Sequence, residues 1–224
     1  MPDKAEGSVY PFSGLGILAR LTKKKSERQM SRLFLAVMLV AVLGSCGARN
    51  GSAPRNLDNA CTILMERSDF VRAFRDADRR WGVEPHVLMA MIYQESKFKA
   101  NARTPHQYAL GVIPVGRQSS AYGYPQALDS TWEEYQKATG SRGARRDDIR
   151  DAADFMGWYM AKTAEVTGVS LNDVRNQYLA YHEGRSGFQR GTYKAKSWLI
   201  RIATEVADRA QVYKSQLSSC KVRL

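Results

Sequence analysis

The chain has 224 residues, 44% of them apolar and 25% charged, with a formal net charge of +12. That length and apolar share describe one domain with a sizeable core plus appendages, and set it apart from disordered chains and, with no internal repeat visible, from repeat arrays. The charge suits a polyanion, either nucleic acid or the acidic peptides and polymers of a cell wall, or it serves solubility alone; no nucleic-acid motif accompanies it.

Residues 1–45 hold seven Lys/Arg and three Asp/Glu, so +4 lies there and +8 in residues 46–224. Arg28 and Arg32 flank Met30, Leu33 to Leu43 is an apolar run of 11 residues, and Gly44-Ser45-Cys46 follows. This is the layout of a signal peptide, and its apolar run is too short to span a bilayer comfortably. Residues 1–29 fit no n-region, so translation is expected to begin at Met30, with the signal at 30–45. Leu43-Gly44-Ser45-Cys46 resembles the bacterial lipobox, whose Cys is acylated and becomes the new N-terminus. The resemblance implies a lipid anchor on Cys46 and a periplasmic, membrane-held protein. Gly47 is not the Asp associated with inner-membrane retention, which points to the outer membrane. The other reading is an ordinary secretory signal with an incidental Cys.

Residues 46–60 read as a tether, being rich in Gly, Ser, Pro, Arg and Asn, and 61–224 as the domain proper. If Cys46 carries lipid, Cys61 and Cys220 remain. In an oxidising compartment they form a bridge closing a long loop, worth roughly 5 kcal/mol in the chain-entropy model; the alternative is two unpaired thiols.

A helix is expected from Ser68 to Trp81, with Phe70, Phe74, Ala77 and Trp81 inward and Gly82 as its stop. Pro85 fits the first turn of the next helix. Phe98 to Gln118 is a long irregular loop with room for a short hairpin. Further helices are expected over Pro125–Thr139, Asp147–Thr167, from a Ser170-x-x-Asp173 capping box onward, and over Lys194–Leu217, with Gly184 to Gly191 as a turn. The last helix is expected to face inward with Trp198, Ile202, Val206, Ala210, Tyr213 and Leu217. Strand signals are weak, so the fold is mainly α.

Within the second helix, Leu88, Met91, Ile92 and Glu95 fall at i, i+3, i+4 and i+7 and share a face. A carboxylate ending an apolar stripe is desolvated, which favours its neutral form and suits it to donate a proton. The plainer reading is a glutamate that reaches solvent or pairs with an arginine.

Ile92-x-x-Glu95-Ser96-x-Phe98-x-x-x-Ala102 resembles the catalytic motif of the lytic transglycosylases with the SLT domain, of the lysozyme-like superfamily. Gly123-Tyr124-Pro125-Gln126, followed by Ser130-Thr131-Trp132, is similar to that family's Gly-Leu-Met-Gln block. Ala180-Tyr181-His182-Glu183-Gly184 is similar to its Ala-Tyr-Asn-Ala-Gly block. Order and rough spacing match from Ser68 to Leu217, though the link between the first two blocks is longer than usual.

The resemblance implies a lysozyme-like helical domain that cleaves the MurNAc-GlcNAc bond of peptidoglycan strands without water. Glu95 would act as acid and then base, with no metal or organic cofactor. Ser96 would orient the acid or the substrate, or else be a plain polar residue at the helix end. Gln126 would contact substrate. The hydroxyl of Tyr181 would reach the acid, or the ring would pack in the core. His182 and Glu183 depart from the family's Asn and Ala. His182 is expected to contact substrate. Glu183 is either a solvated charge on a turn or a base for water, and the second role would make the enzyme a hydrolytic muramidase. Tyr122 and Tyr124 are the best candidates for stacking on sugar, ahead of Trp132, Phe188 and Tyr193. A third reading is a wall-binding envelope protein that has lost turnover.

Overall fold

The computed structural model describes residues 51–222 and 224. The signal peptide expected at 30–45, the start at Met30 and the acylated Cys46 lie outside the described residues. In chain order the elements are α1 (Ala60–Glu66), α2 (Ser68–Trp81), α3 (Pro85–Ser96), β1 (His106–Ala109), β2 (Ile113–Arg117), α4 (Asp129–Thr139), α5 (Ile149–Thr167), α6 (Val174–Arg190), a 3-10 turn (Thr192–Ala195) and α7 (Ser197–Ser218). Among the described residues no helix is long and apolar enough to cross a membrane.

The organising element is α3. Every residue from His86 to Ile92 is buried, so the Leu88–Met91–Ile92 stripe is one side of a helix with no solvent face there. Such a helix runs through a core instead of over it. Helix α7 lies along α3, and α2 packs against α5. Pro85 opens α3 at a position where its missing N–H costs nothing. Lys97 ends it in a left-handed conformation, its N–H bonded to the Tyr93 carbonyl.

Helix α1 has no counterpart among the expected elements. Seven residues are too few for local propensity to hold. Asn59 caps it through Thr62 N–H, and Ala60, Ile63 and Leu64 are buried. The Gln216 side chain accepts from Ala60 N–H (2.7 Å) and donates to the Asp58 carbonyl (3.0 Å), tying this start to α7. Cys61 and Cys220 form a disulfide across the same junction, with Cα atoms 5.5 Å apart. Residues 51–59, expected as part of a tether, lie along the domain: Ala100 N–H donates to Gly51, Arg67 to Ser52, and Arg209 pairs with Asp58.

Several boundaries differ from expectation. Helix α4 begins at Asp129, because residues around Gln126 (φ 50) turn back to bridge Tyr122 with Ala127. Asp173 is the cap of α6, accepting from Asn176 N–H (3.1 Å); Ser170, expected as the cap, instead closes the turn before it. The expected turn from Gly184 to Gly191 is a one-residue break. Gly184 sits at φ 72, ψ 155, a region open to glycine and little else, and helix resumes to Arg190. A 3-10 turn precedes α7, which starts at Ser197; Val206, Ala210 and Tyr213 are buried as expected, Ile202 and Leu217 are half-buried, Leu199 and Ala203 join the core, and Trp198 is 45% exposed. The long loop does hold a hairpin, β1 antiparallel to β2 with a bulge between Gln107 and Tyr108.

Candidate active site

Glu95 occupies the last turn of α3 and faces a cleft of about 360 Å³. Gln126, Ala127, Leu128 and Thr131 line one side. Phe155 and Tyr159 from α5 and Tyr181 to Gly184 from α6 line the other. The three sequence blocks therefore meet around one opening.

Local constraints bring them there. Gly123 has φ 77, and a Cβ on it would lie 2.1 Å from the Arg146 carbonyl oxygen, so that approach requires glycine. The turn it opens carries Gln126, whose amide nitrogen donates to Ala102 O (3.0 Å) and Gly123 O (2.9 Å). The break at Gly184 ends the first half of α6 just past His182 and Glu183, leaving both at the rim.

Glu95 keeps a small exposure to the cleft while protein closes round its carboxyl. Burial pushes its pKa up to about 8. A hydrogen bond from Tyr178 and the positive charge of Lys97 oppose that rise and are outweighed. The acid is thus mostly protonated at neutral pH, with a hydroxyl already placed to stabilise its ionised form.

The hydroxyl that reaches the acid belongs to Tyr178, on α6, and not to Tyr181. Tyr178 lies three residues before Tyr181 on the same helical face, and that spacing was the available signal. Tyr181 lines the cleft, but its hydroxyl donates to the Pro125 carbonyl, and its ring meets Tyr159 at 5.0 Å. Burial and the nearby Glu95 push the Tyr181 pKa well up.

Ser96 does not face the cleft. It is buried, and its hydroxyl bonds back to the Ile92 carbonyl (3.2 Å). Tyr124 is a core residue, 2% exposed, with its ring edge-on to Phe70 and its hydroxyl against Arg67. Tyr122 is engaged by Asp147 (3.2 Å) and lies beneath Arg103 (4.1 Å). Neither tyrosine lines the cleft, so the expected sugar platform is absent there. Trp132 is also core, and Phe188 and Tyr193 stack on each other.

His182 lines the cleft with its Nδ1 3.1 Å from Glu183 Oε1 and its ring edge-on to Trp198. Glu183 is no solvated charge. Its side chain is 4% exposed, covered by Lys196 (2.7 Å), Thr192 and His182. The Lys196 and Thr192 hydrogen bonds bring its pKa down to about 2, outweighing desolvation, which raises it. Among the described residues no three His, Cys, Asp or Glu side chains gather to hold a metal ion.

No curated protein sequence matches the chain. A family model, described as the transglycosylase SLT domain, matches residues 34–220. The mainly helical architecture around α3 is that of a lysozyme-like SLT domain. With that match covering most of its length, the chain belongs to the transglycosylase SLT domain family, whose activity is of the peptidoglycan lytic transglycosylase type.

Proposed function

We propose that the protein is a lytic transglycosylase that cleaves the MurNAc-GlcNAc β-1,4 bond of peptidoglycan strands and leaves a 1,6-anhydroMurNAc end. The observation that carries this is one carboxyl kept protonated by burial in the cleft, while the other carboxylate there, Glu183, has both oxygens engaged, Oε1 by Lys196 and His182 and Oε2 by Thr192, and so has neither free for water. Glu95 gives its proton to the bridging oxygen, and the GlcNAc departs with a free hydroxyl. The substrate's own N-acetyl group stabilises the positive charge at C1 of MurNAc. The Glu95 carboxylate then takes the proton from the C6 hydroxyl of that sugar, whose oxygen bonds to C1. Water is not consumed. Burial favours the first half, in which Glu95 must be protonated; the Tyr178 hydroxyl favours the second, in which it is ionised. Gln126 and His182 border the same opening and are assigned to substrate contact.

Digestion of purified peptidoglycan, read by mass spectrometry, tests this. Anhydro-muropeptides from the wild type and none from Glu95→Gln are expected. Reducing ends in their place would mean a hydrolytic muramidase, with Glu183 serving water. No products, with the protein still sedimenting with cell wall, would mean a binding protein without turnover.

We also propose that Cys46 is acylated and holds the protein in the periplasm, on the outer membrane. The disulfide supports an oxidising compartment. Labelled palmitate should enter the wild type and not Cys46→Ala; equal labelling would end the lipoprotein reading.

A further inference from the structure

The hairpin β1–β2 carries an apolar tip that nothing in the domain covers. Tyr108 is 56% exposed, Leu110 90%, Val112 77%, Ile113 52% and Val115 61%. Large apolar side chains in one contiguous exposed group mark an interaction site.

Leu110 bears two separate penalties. Val112 N–H closes a turn onto Ala109 O (3.2 Å), and both central residues, Leu110 and Gly111, have positive φ (53 and 76). Such turns ordinarily take Asn, Asp or Gly at the first of these places. Local backbone chemistry and hydration would both prefer Asn there, and the chain has Leu.

The register indicates what kind of partner fits. Tyr108 pairs with Pro114, and Ala109 with Ile113, so successive pairs point to opposite faces. Both faces and the tip are therefore apolar. A groove on a protein would take one face; a lipid layer surrounds all sides of an inserted loop. Charge agrees with lipid. Arg103 precedes β1 and Arg117 ends β2, and from Ser96 to Leu128 the chain holds no Asp or Glu. Apolar residues ahead of cations suit the acyl boundary and anionic headgroups of a bilayer surface.

We propose that the β1–β2 hairpin inserts its tip into the interface of an anionic bilayer. The inference is independent of the transglycosylase reading and of acylation at Cys46. Its consequence for the cleft follows from the hairpin's stem. Arg103 bridges to Tyr122, and Gln126 is held by the Ala102 carbonyl, so the segments flanking the hairpin also position a cleft residue. Bilayer contact at the tip would orient the opening relative to the membrane.

The test uses the full chain carrying Cys46→Ser, which removes any acyl chain, together with Leu110→Trp as a local probe at an exposed position. Phosphatidylglycerol-containing vesicles with brominated acyl chains are added, and the wild-type tryptophan signal is subtracted. A blue shift and bromine quenching of the introduced indole are expected. Adding Val112→Asp or Ile113→Asp should lower partitioning of the tip roughly tenfold each. Water-like, unquenched emission would overturn the proposal, even with the chain sedimenting on vesicles through its N-terminal apolar run. Equal insertion into pure phosphatidylcholine would overturn the assignment to an anionic surface. A blue shift that grows with protein concentration in the absence of vesicles would overturn it in favour of a second copy of the chain.

Discussion

Glu95 and Glu183 line the same cleft, and their surroundings drive them in opposite directions. Glu95 stands at the end of the buried helix α3, with a tyrosine hydroxyl and a more distant lysine for company, and its pKa rises to about 8. Glu183 is covered as well, but by Lys196 at 2.7 Å and Thr192, and its pKa falls to about 2. Desolvation left nearly unopposed at one carboxyl, and a lysine hydrogen-bonded to the other, decide which glutamate can hand over a proton. Near pH 5 the two hold opposite protonation states within one opening.

Replacing the acid should break this contrast most severely. Glu95→Gln is expected to lower the rate of anhydro-muropeptide release by at least about 10²–10⁴-fold, the usual worth of a positioned general acid–base group. In the wild type the rate should fall as pH rises through about 8, as Glu95 loses its proton. A flat profile across that range would remove Glu95 from the proton-donating role.

The same substitution should make the fold more stable at neutral pH. A folded pKa of about 8 against an ordinary 4.5 means the folded state binds more protons between those values. Wild-type stability therefore declines as pH rises across that window, and the glutamine variant escapes the decline. A gain of roughly 3 kcal/mol at pH 7, vanishing near pH 4, is expected in urea unfolding.

Tyr178→Phe sharpens the comparison by removing the one hydroxyl that favours ionised Glu95. The alkaline limb of the rate profile should move up by roughly one pH unit, and turnover should fall about tenfold. An unmoved limb would show that this hydroxyl does not act on the acid.

Glu183→Gln should have the smallest effect. Turnover should persist, and stability should drop by about 1 kcal/mol, discounted for the exposure of Lys196. Because the folded pKa is depressed, the ion pair stabilises above about 4.5 and its contribution is lost as pH falls through about 2. The variant's acid unfolding should therefore lack that component. If turnover instead vanished with Glu183→Gln, the one-acid mechanism would fail.

The acid itself was legible in sequence because its signal is local: an apolar stripe, then Glu-Ser at a helix end. Helix α2 was legible for the same reason, with its stripe and stop close together in the chain. Partners set by long-range contact were hidden. Tyr124 resembles a sugar platform until Arg67 and Phe70, more than fifty residues earlier, enclose it. The role of Glu183 depends on Lys196, thirteen residues later and beyond a break at Gly184. Helix α1 owes its existence to packing against the far end of the chain, which no window of neighbours reveals. Along α7 the periodicity held, with Val206, Ala210 and Tyr213 buried, and failed only at Trp198, in the first turn after the 3-10 turn.

The bridge from Cys61 to Cys220 turns nearly the whole domain into a covalent ring. One protease cut in the projecting hairpin would then open the ring without releasing a fragment. A nicked molecule would run as a single band until a reductant is added, and as two bands afterwards. Such closure would keep both halves of the cleft together after that exposed loop has been cut.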